Sequence, residues 1–500
     1  MPFPPGARLR LSATPFALLV ALCLLGVRIQ SQSASPLAHG FVFTAEQLRA
    51  RVQAFQEGLA YVPGELLVKF KAGYTTAQQA RSLSVLRGGL LPAQTRWLGD
   101  VLLVTAPDED PSIASNLLAR QPEIEWAQPN YISRLHGIPN DPSFSRQWNL
   151  TAINMPVAWD ISGTRSSAVT VAVIDSGVTA ATNSYAFPLW DGSRIANFLV
   201  PFRVNPDLAG SRFANARDFI FWNGPVLDMV GHGTHVAGTV LQETGNALGL
   251  AGIAPHARLM PLKACVGYWE FQIVRSALGI PGYEPTDTAG GCETGSVIAA
   301  IRYAADSGAH VINLSFGGPF PSPAYLDALR YAVQRGAFVS IAMGNEFEDG
   351  NPTEYPAAYA AQIDGVMSVG ATGRSGRRAY YSNTGAHIEI VAPGGDFRDG
   401  GLGGVVYQSG LFDPDFDQFS VIVPRFDRYY DDPSQGTSMA APHVAGVAAL
   451  LRAQGITSAA AIEAAIRRFA VDLGPTGRDN EYGHGLIDAR AALRGLGVAR

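Results

Sequence analysis

Charge is scarce in this chain. Only 16% of its 500 residues are Asp, Glu, Lys or Arg, and the formal net charge is −5. No long basic run breaks the pattern, which excludes an obvious nucleic-acid partner, since such partners leave a basic patch. Low-complexity sequence is missing as well: 54 glycines and 33 prolines are dispersed and mark turns. Past the N-terminus, no apolar run reaches the roughly 20 residues that a membrane helix needs. Cysteine is rare, with three copies.

What is present is apolar. Hydrophobic residues make up 47% of the chain, enough for a large core, and the length leaves room for about three domains. Arg8 and Arg10 precede an apolar run from Phe16 to Val27, followed by "SQSAS" at 31–35. That order reads as a signal peptide over residues 1–33, lost on export; an uncleaved anchor is the alternative. The expected location is therefore secreted, extracellular or periplasmic, with no membrane attachment after cleavage. Cys23 would leave with the signal. Cys265 and Cys292 remain as a candidate disulfide on compartment grounds.

A linker with a polar helix near 44–57 fills residues 34–61. The following segment has the order β-α-β-β-α-β: "ELLVKF" (65–70), a helix at 76–88, strands near 95–98 and at 101–107, a helix at 111–122 headed by Pro111, and a strand at 123–131. This is the split ferredoxin-like pattern. From about Asn140 the texture changes. "VTVAVID" (169–175), "HVINLSF" (310–316), "FVSIAMGN" (338–345) and "IEIVAPG" (388–394) are Val/Ile-rich runs alternating with helices such as 294–307 and 323–335. Strands buried on both faces imply an α/β fold, a mostly parallel doubly wound sheet with helices on each side. Ligands of such sheets bind beyond the carboxyl ends of the strands.

Three patches carry chemistry there. "VIDSG" (173–177) ends a strand in Asp175. "GHGTHVAGT" (231–239) starts a helix at His232. "QGTSMAAPHVAG" (435–446) places Ser438 at the head of a helix apolar nearly all round. Pro442 is expected in the first turn of that helix, where its missing N–H is not needed. A serine hydroxyl needs an adjacent base to act as a nucleophile. A histidine can serve, and a buried carboxylate fixes its tautomer. His232 and His235, spaced i, i+3, raise a metal alternative, but the Glu of the usual zinc helix is absent; His235 reads as structural. The chain order Asp, His, Ser differs from that of the α/β-hydrolases and of chymotrypsin.

These motifs, in this order, resemble the subtilisin-like serine peptidases, the subtilases. The likeness spans about residues 139–493 and includes "PNDPSFSRQWNL" and "YYSNTGAHIEIVAPGGD". It implies a peptidase domain at 139–495 with Asp175, His232 and Ser438 catalytic and Asn345 completing the oxyanion hole with the Ser438 amide. It implies that Ser315, Phe316 and Gly317 pair with substrate backbone. Ala342, Met343 and Gly344 would line the P1 pocket, whose shape Met343 would alter. Residues 62–134 resemble the family's inhibitory propeptide, to be removed near 131–140. The expected partners are protein or peptide substrates and the chain's own propeptide, with the mature enzyme a monomer. A subtilase-fold binding protein and a metal-dependent hydrolase are the alternatives.

No cofactor is needed for this chemistry, though the resemblance allows structural calcium. "DPDFD" places Asp413, Asp415 and Asp417 at alternate positions. Gln418 and Pro424 stand where an EF-hand loop needs Gly and Glu. The stretch 397–434 is longer than in most relatives, and the aromatic region between Asp175 and His232 has no clear pattern.

Overall fold

Side chains alternate across a strand, and in this protein both faces of the main sheet are buried. The computed structural model describes residues 45–56, 59–86, 95–132, 138–208, 212–221, 224–282, 290–411 and 424–495. The signal segment 1–33 and the Asp413, Asp415 and Asp417 loop lie outside them. The chain divides into two units, the first ending at Tyr131.

In the first unit, helix α1 (Ala45–Gln56) precedes β1 (Tyr61–Phe70), α2 (Thr76–Leu83), β2 (Thr95–Leu98), β3 (Val101–Thr105), α3 (Pro111–Leu118) and β4 (Ile124–Tyr131). The four strands form an antiparallel sheet in the order β2-β3-β1-β4, the ferredoxin-like arrangement. A Thr75–Gln78 capping box starts α2, and Asp110 caps α3 ahead of Pro111. Leu66, Val68, Leu83, Leu102, Leu118 and Ile124 form the core. Helix α2 ends at Leu83, earlier than the expected 88, and Leu86 is buried from the turn that follows.

The second unit is built on seven parallel strands in the order β15-β14-β13-β12-β5-β9-β8. These are β5 (Thr170–Asp175), β8 (Arg217–Asp218), β9 (Arg258–Lys263), β12 (Val311–Leu314), β13 (Phe338–Ala342), β14 (Val366–Thr372) and β15 (Ile390–Pro393). In register, Val171 faces Val311 and Val311 faces Phe338. Val171, Val173, Val311 and Phe338 join the core on one face, whereas Ala172, Ile174, Ile312 and Val339 join the core on the other. Helices α4 (His232–Leu241) and α7 (Thr437–Ala453) pack on the first face. Helices α5 (Thr294–Asp306) and α6 (Pro323–Gln334) pack on the second.

The unassigned regions form small antiparallel ribbons. Strands β6 (Asn183–Trp190) and β7 (Ile195–Phe202) make a hairpin, and β16 (Val406–Leu411) pairs with β17 (Tyr429–Ser434). The aromatics there are core residues: Phe202 stacks on Phe426 at 5.0 Å and joins Leu189, Met229 and Trp269 in a cluster of their own. Strands β10 (Cys265–Val266) and β11 (Gly291–Cys292) bring the two cysteines opposite each other, and their sulfurs are bonded at 2.00 Å.

One expectation needs correction. Pro442 lies inside α7, beyond its first turn. Its missing N–H would have bonded the Ser438 carbonyl. Ser315 Oγ donates to that carbonyl instead, at 2.8 Å, so the helix continues through the proline with its carbonyl satisfied.

Candidate active site

Asp175 is the last residue of β5, at the carboxyl edge of the sheet, and is only 2% exposed. His232 is the first residue of α4. Its Nδ1 lies 2.7 Å from Asp175 Oδ1, and the ring keeps about a third of its surface exposed. Burial works against a charged ring. The Asp175 carboxylate outweighs it through charge and hydrogen bond, with Asp228 and Asp432 adding to the field, and the His232 pKa is held above 6.5.

A second carboxylate, which the motif reading missed, fixes this geometry. Asp228 is fully buried. Its Oδ1 accepts from Ser176 Oγ, Val230 N and Gly231 N, at 2.9, 3.0 and 2.9 Å. Its Oδ2 accepts from Thr234 N and Oγ1, at 3.0 and 2.6 Å. Gly231 has no side chain to cap α4, so Asp228 caps the helix from three residues upstream. Ser176 completes the tie: its Oγ also accepts from Gly233 N at 2.9 Å, and its carbonyl accepts from the buried Lys263 Nζ at 2.6 Å. Lys263 is paired in turn with Glu270 at 2.7 Å. The contact is close enough to demand glycine: a β-carbon on Gly233 would stand 2.2 Å from the Gly177 carbonyl oxygen. The available signal was an Asp just ahead of a glycine-initiated helix, a spacing that suits remote capping.

Ser438 is the second residue of α7 and is half-buried. Its Oγ donates to the Ser315 carbonyl at 2.9 Å. Among the described residues it makes no hydrogen bond to the His232 ring. The Ser438 amide lies in the first turn of the helix, where N–H groups have no intrahelical acceptor and the helix dipole favours negative charge. Asn345 follows β13 and is exposed. Its Oδ1 accepts from Thr437 N at 2.8 Å and from Thr437 Oγ1 at 3.0 Å. With Oδ1 engaged by Thr437, the residue before Ser438, the amide nitrogen Nδ2 makes no hydrogen bond among the described residues.

A cleft of about 450 Å³ runs beside His232, lined by Ser315, Phe316, Gly317 and the Cys265–Cys292 bridge. The three residues from Ser315 to Gly317 follow the end of β12 and leave their backbone at the cleft wall. Ala342 and Met343 do not reach it. Ala342 packs in the main core, and Met343 is fully buried against Ile388 and Val391. The Met343 side chain is enclosed in that cluster and has no exposed surface, so the expectation that it shapes a P1 pocket by direct contact is withdrawn. Gly344 does border the site, its N–H donating to Thr437 Oγ1 at 3.1 Å. His235 is buried one turn along α4, and burial, with His232 nearby, pushes its pKa down to about 4. Among the described residues no three His, Cys, Asp or Glu side chains form a metal cluster.

The model of the subtilase family matches residues 166–485. The chain belongs to the subtilase family of serine peptidases. A fervidolysin N-terminal prodomain matches residues 49–130 of this subtilase. The chain is 30% identical over 436 residues to a thermophilic serine proteinase of Bacillus sp. (strain AK1), spanning 87% of this chain and 88% of that protein. It is 30% identical over 358 residues to thermitase of Thermoactinomyces vulgaris, spanning 71% of this chain and 99% of thermitase. Among solved structures, a protease of Pseudoalteromonas arctica PAMC 21717 is similar with a TM-score of 0.52 and 28% identity, over 72% of this chain and 99% of that one. Fervidolysin of Fervidobacterium pennivorans shares the fold with a TM-score of 0.51 and 23% identity, over 87% of this chain and 61% of its own.

Proposed function

We propose that this subtilase is a secreted endopeptidase, made as a precursor and activated by removal of its prodomain. The observation that carries the reading is the Asp175–His232 pair at 2.7 Å, its carboxylate buried, on the same edge of the sheet as the Ser438 helix start. In this mechanism Ser438 Oγ leaves the Ser315 carbonyl by rotation about χ1, between staggered wells about 120° apart, and turns to His232 Nε2. It attacks the scissile carbonyl while Nε2 takes its proton. Asp175 stabilises the imidazolium that results. The oxyanion receives hydrogen bonds from the Ser438 amide and Asn345 Nδ2. The imidazolium then gives its proton to the leaving amine, and a water molecule hydrolyses the acyl-enzyme by the same steps in reverse.

Extended peptide pairs with the backbone of Ser315–Gly317, a mode that tolerates many sequences. The prodomain match supports residues 62–134 as a folding aid and inhibitor of the cleft; the reading of residues 1–33 as the export signal rests on Arg8 and Arg10 ahead of the Phe16–Val27 apolar run. The peptidase domain then covers 139–495. No helix among the described residues is long and apolar enough to cross a membrane. The test is casein hydrolysis by the matured protein. Ser438→Ala should lower turnover on the order of 10⁶-fold, the magnitude established for subtilisin itself. Near-normal hydrolysis by that variant would remove Ser438 from the chemistry.

A further inference from the structure

Two backbone runs flank Ser438. The Ser315 carbonyl accepts from Ser438 Oγ at 2.9 Å, and Gly344 N donates to Thr437 Oγ1 at 3.1 Å. The loop after β13 returns between them. Tyr355 forms a two-bond bridge with Gly318, at 2.8 and 3.0 Å, and this bridge seats Glu354 in the space between the runs. A β-carbon built on Gly317 would stand 3.0 Å from Glu354 Oε2. One built on Gly344 would stand 2.6 Å from Glu354 Cγ and 3.0 Å from Glu346 Oε2. Glycine on both walls leaves no side chain above these carboxylates.

Glu354 is only 4% exposed, and among the described residues no donor or cation pairs with its carboxylate. Burial, and then the neighbouring Glu346, push its pKa up to about 7. The other acids of the loop are differently placed. Glu346 Oε2 is held by Asn345 N at 2.6 Å, and Glu348 is neutralised by both terminal nitrogens of Arg398, at 2.6 and 2.8 Å. Buried carboxylates are nearly always paired, because an unpaired one is costly. Here no partner stands among the described residues, and the carboxylate lies against Gly317 and Gly344, in the two runs that flank Ser438.

We propose that Glu354, with Glu346 beside it, selects substrates carrying lysine or arginine at P1. The inference rests on Ser438 being the nucleophile. The P1 carbonyl then sits at Ser438 Oγ, and the P1 side chain leaves between the Gly317 and Gly344 backbones. An aliphatic stem lies along those walls while its charged head reaches the acid. A P1 glutamate meets two carboxylates and is rejected.

The test uses the full chain, expressed and matured, on fluorogenic peptides that differ only at P1: Lys, Arg, Leu, Phe and Glu. The expected kcat/KM is highest for Lys and Arg and lowest for Glu. Glu354→Gln should lower the Lys-to-Phe ratio about ten- to a hundredfold, the range for hydrogen bonds to charged groups. Glu354→Asp should keep the preference in direction. A fluorophosphonate probe reports that each variant is folded and competent; if Glu354→Gln does not label, the wild-type P1 profile and the Asp variant decide. A wild-type preference for Leu or Phe, or a ratio that Glu354→Gln leaves in place, overturns the inference and leaves the peptidase reading intact. Absence of any cleavage and of labelling overturns the peptidase reading first.

Discussion

At the residue scale, the His232 ring carries two opposed demands. In the proposed mechanism it must be neutral to accept the serine proton, yet the carboxylates around it favour its charged form. A raised pKa means that the ring stays protonated to higher pH, so activity is lost as pH falls through a value above 6.5. The acid limb of kcat/KM, which reports the free enzyme, should therefore lie above that value. Asp228→Asn removes one of the charges responsible and disturbs five hydrogen bonds at the helix start. It should move that limb to lower pH and reduce kcat more than it changes KM; a purely structural role would lower active enzyme without moving the limb. Asn345→Ala removes the donor proposed for the oxyanion and should cost roughly 10² to 10³ in kcat, the figure known from subtilisin, as steady-state kinetics would show.

At the element scale, β5 and α4 meet through glycine. Gly233→Ala would drive a methyl group into the Gly177 carbonyl, 2.2 Å away. Backbone cannot yield as a side chain can, so the expected loss is about 2 to 3 kcal/mol, seen as a lower denaturant midpoint together with lower activity. The sheet was legible in the sequence because its strands are buried on both faces and read as continuous apolar runs. The heads of α4 and α7 were legible because short glycine-containing motifs mark where the two helices begin. The β6–β7 hairpin was not legible: its residues are mostly exposed or half-buried without strict alternation, so period 2 never emerges. Pro442 was misplaced because the group that satisfies the Ser438 carbonyl, Ser315, lies 123 residues away in the chain. Met343 was expected to shape the P1 pocket, but it lies just beyond β13 and packs against Ile388 and Val391, neighbours that only the fold brings to it. Asp228 and Glu354 were missed for a related reason: each acts through neighbours that only the fold assembles.

At the scale of the whole molecule, the peptidase unit carries a cross-link between residues 27 apart, Cys265 and Cys292, at the wall of the cleft. In the chain-entropy account a loop of that length is worth about 3.5 kcal/mol. Replacing both cysteines by serine should lower the unfolding free energy by an amount of that order, measurable by denaturant titration. The first unit has its own small core, and a chain expressed without residues 1–131 should give much less active enzyme on refolding, with recovery when the separate prodomain is added. The account as a whole depends on His232 activating Ser438, and one measurement addresses that link most directly: mass-spectrometric mapping of a fluorophosphonate adduct on the matured protein. The prediction is a single adduct on Ser438 that forms rapidly in the wild type and is nearly abolished in His232→Ala. An adduct on another residue, or equal labelling of Ser438 in both proteins, would contradict it.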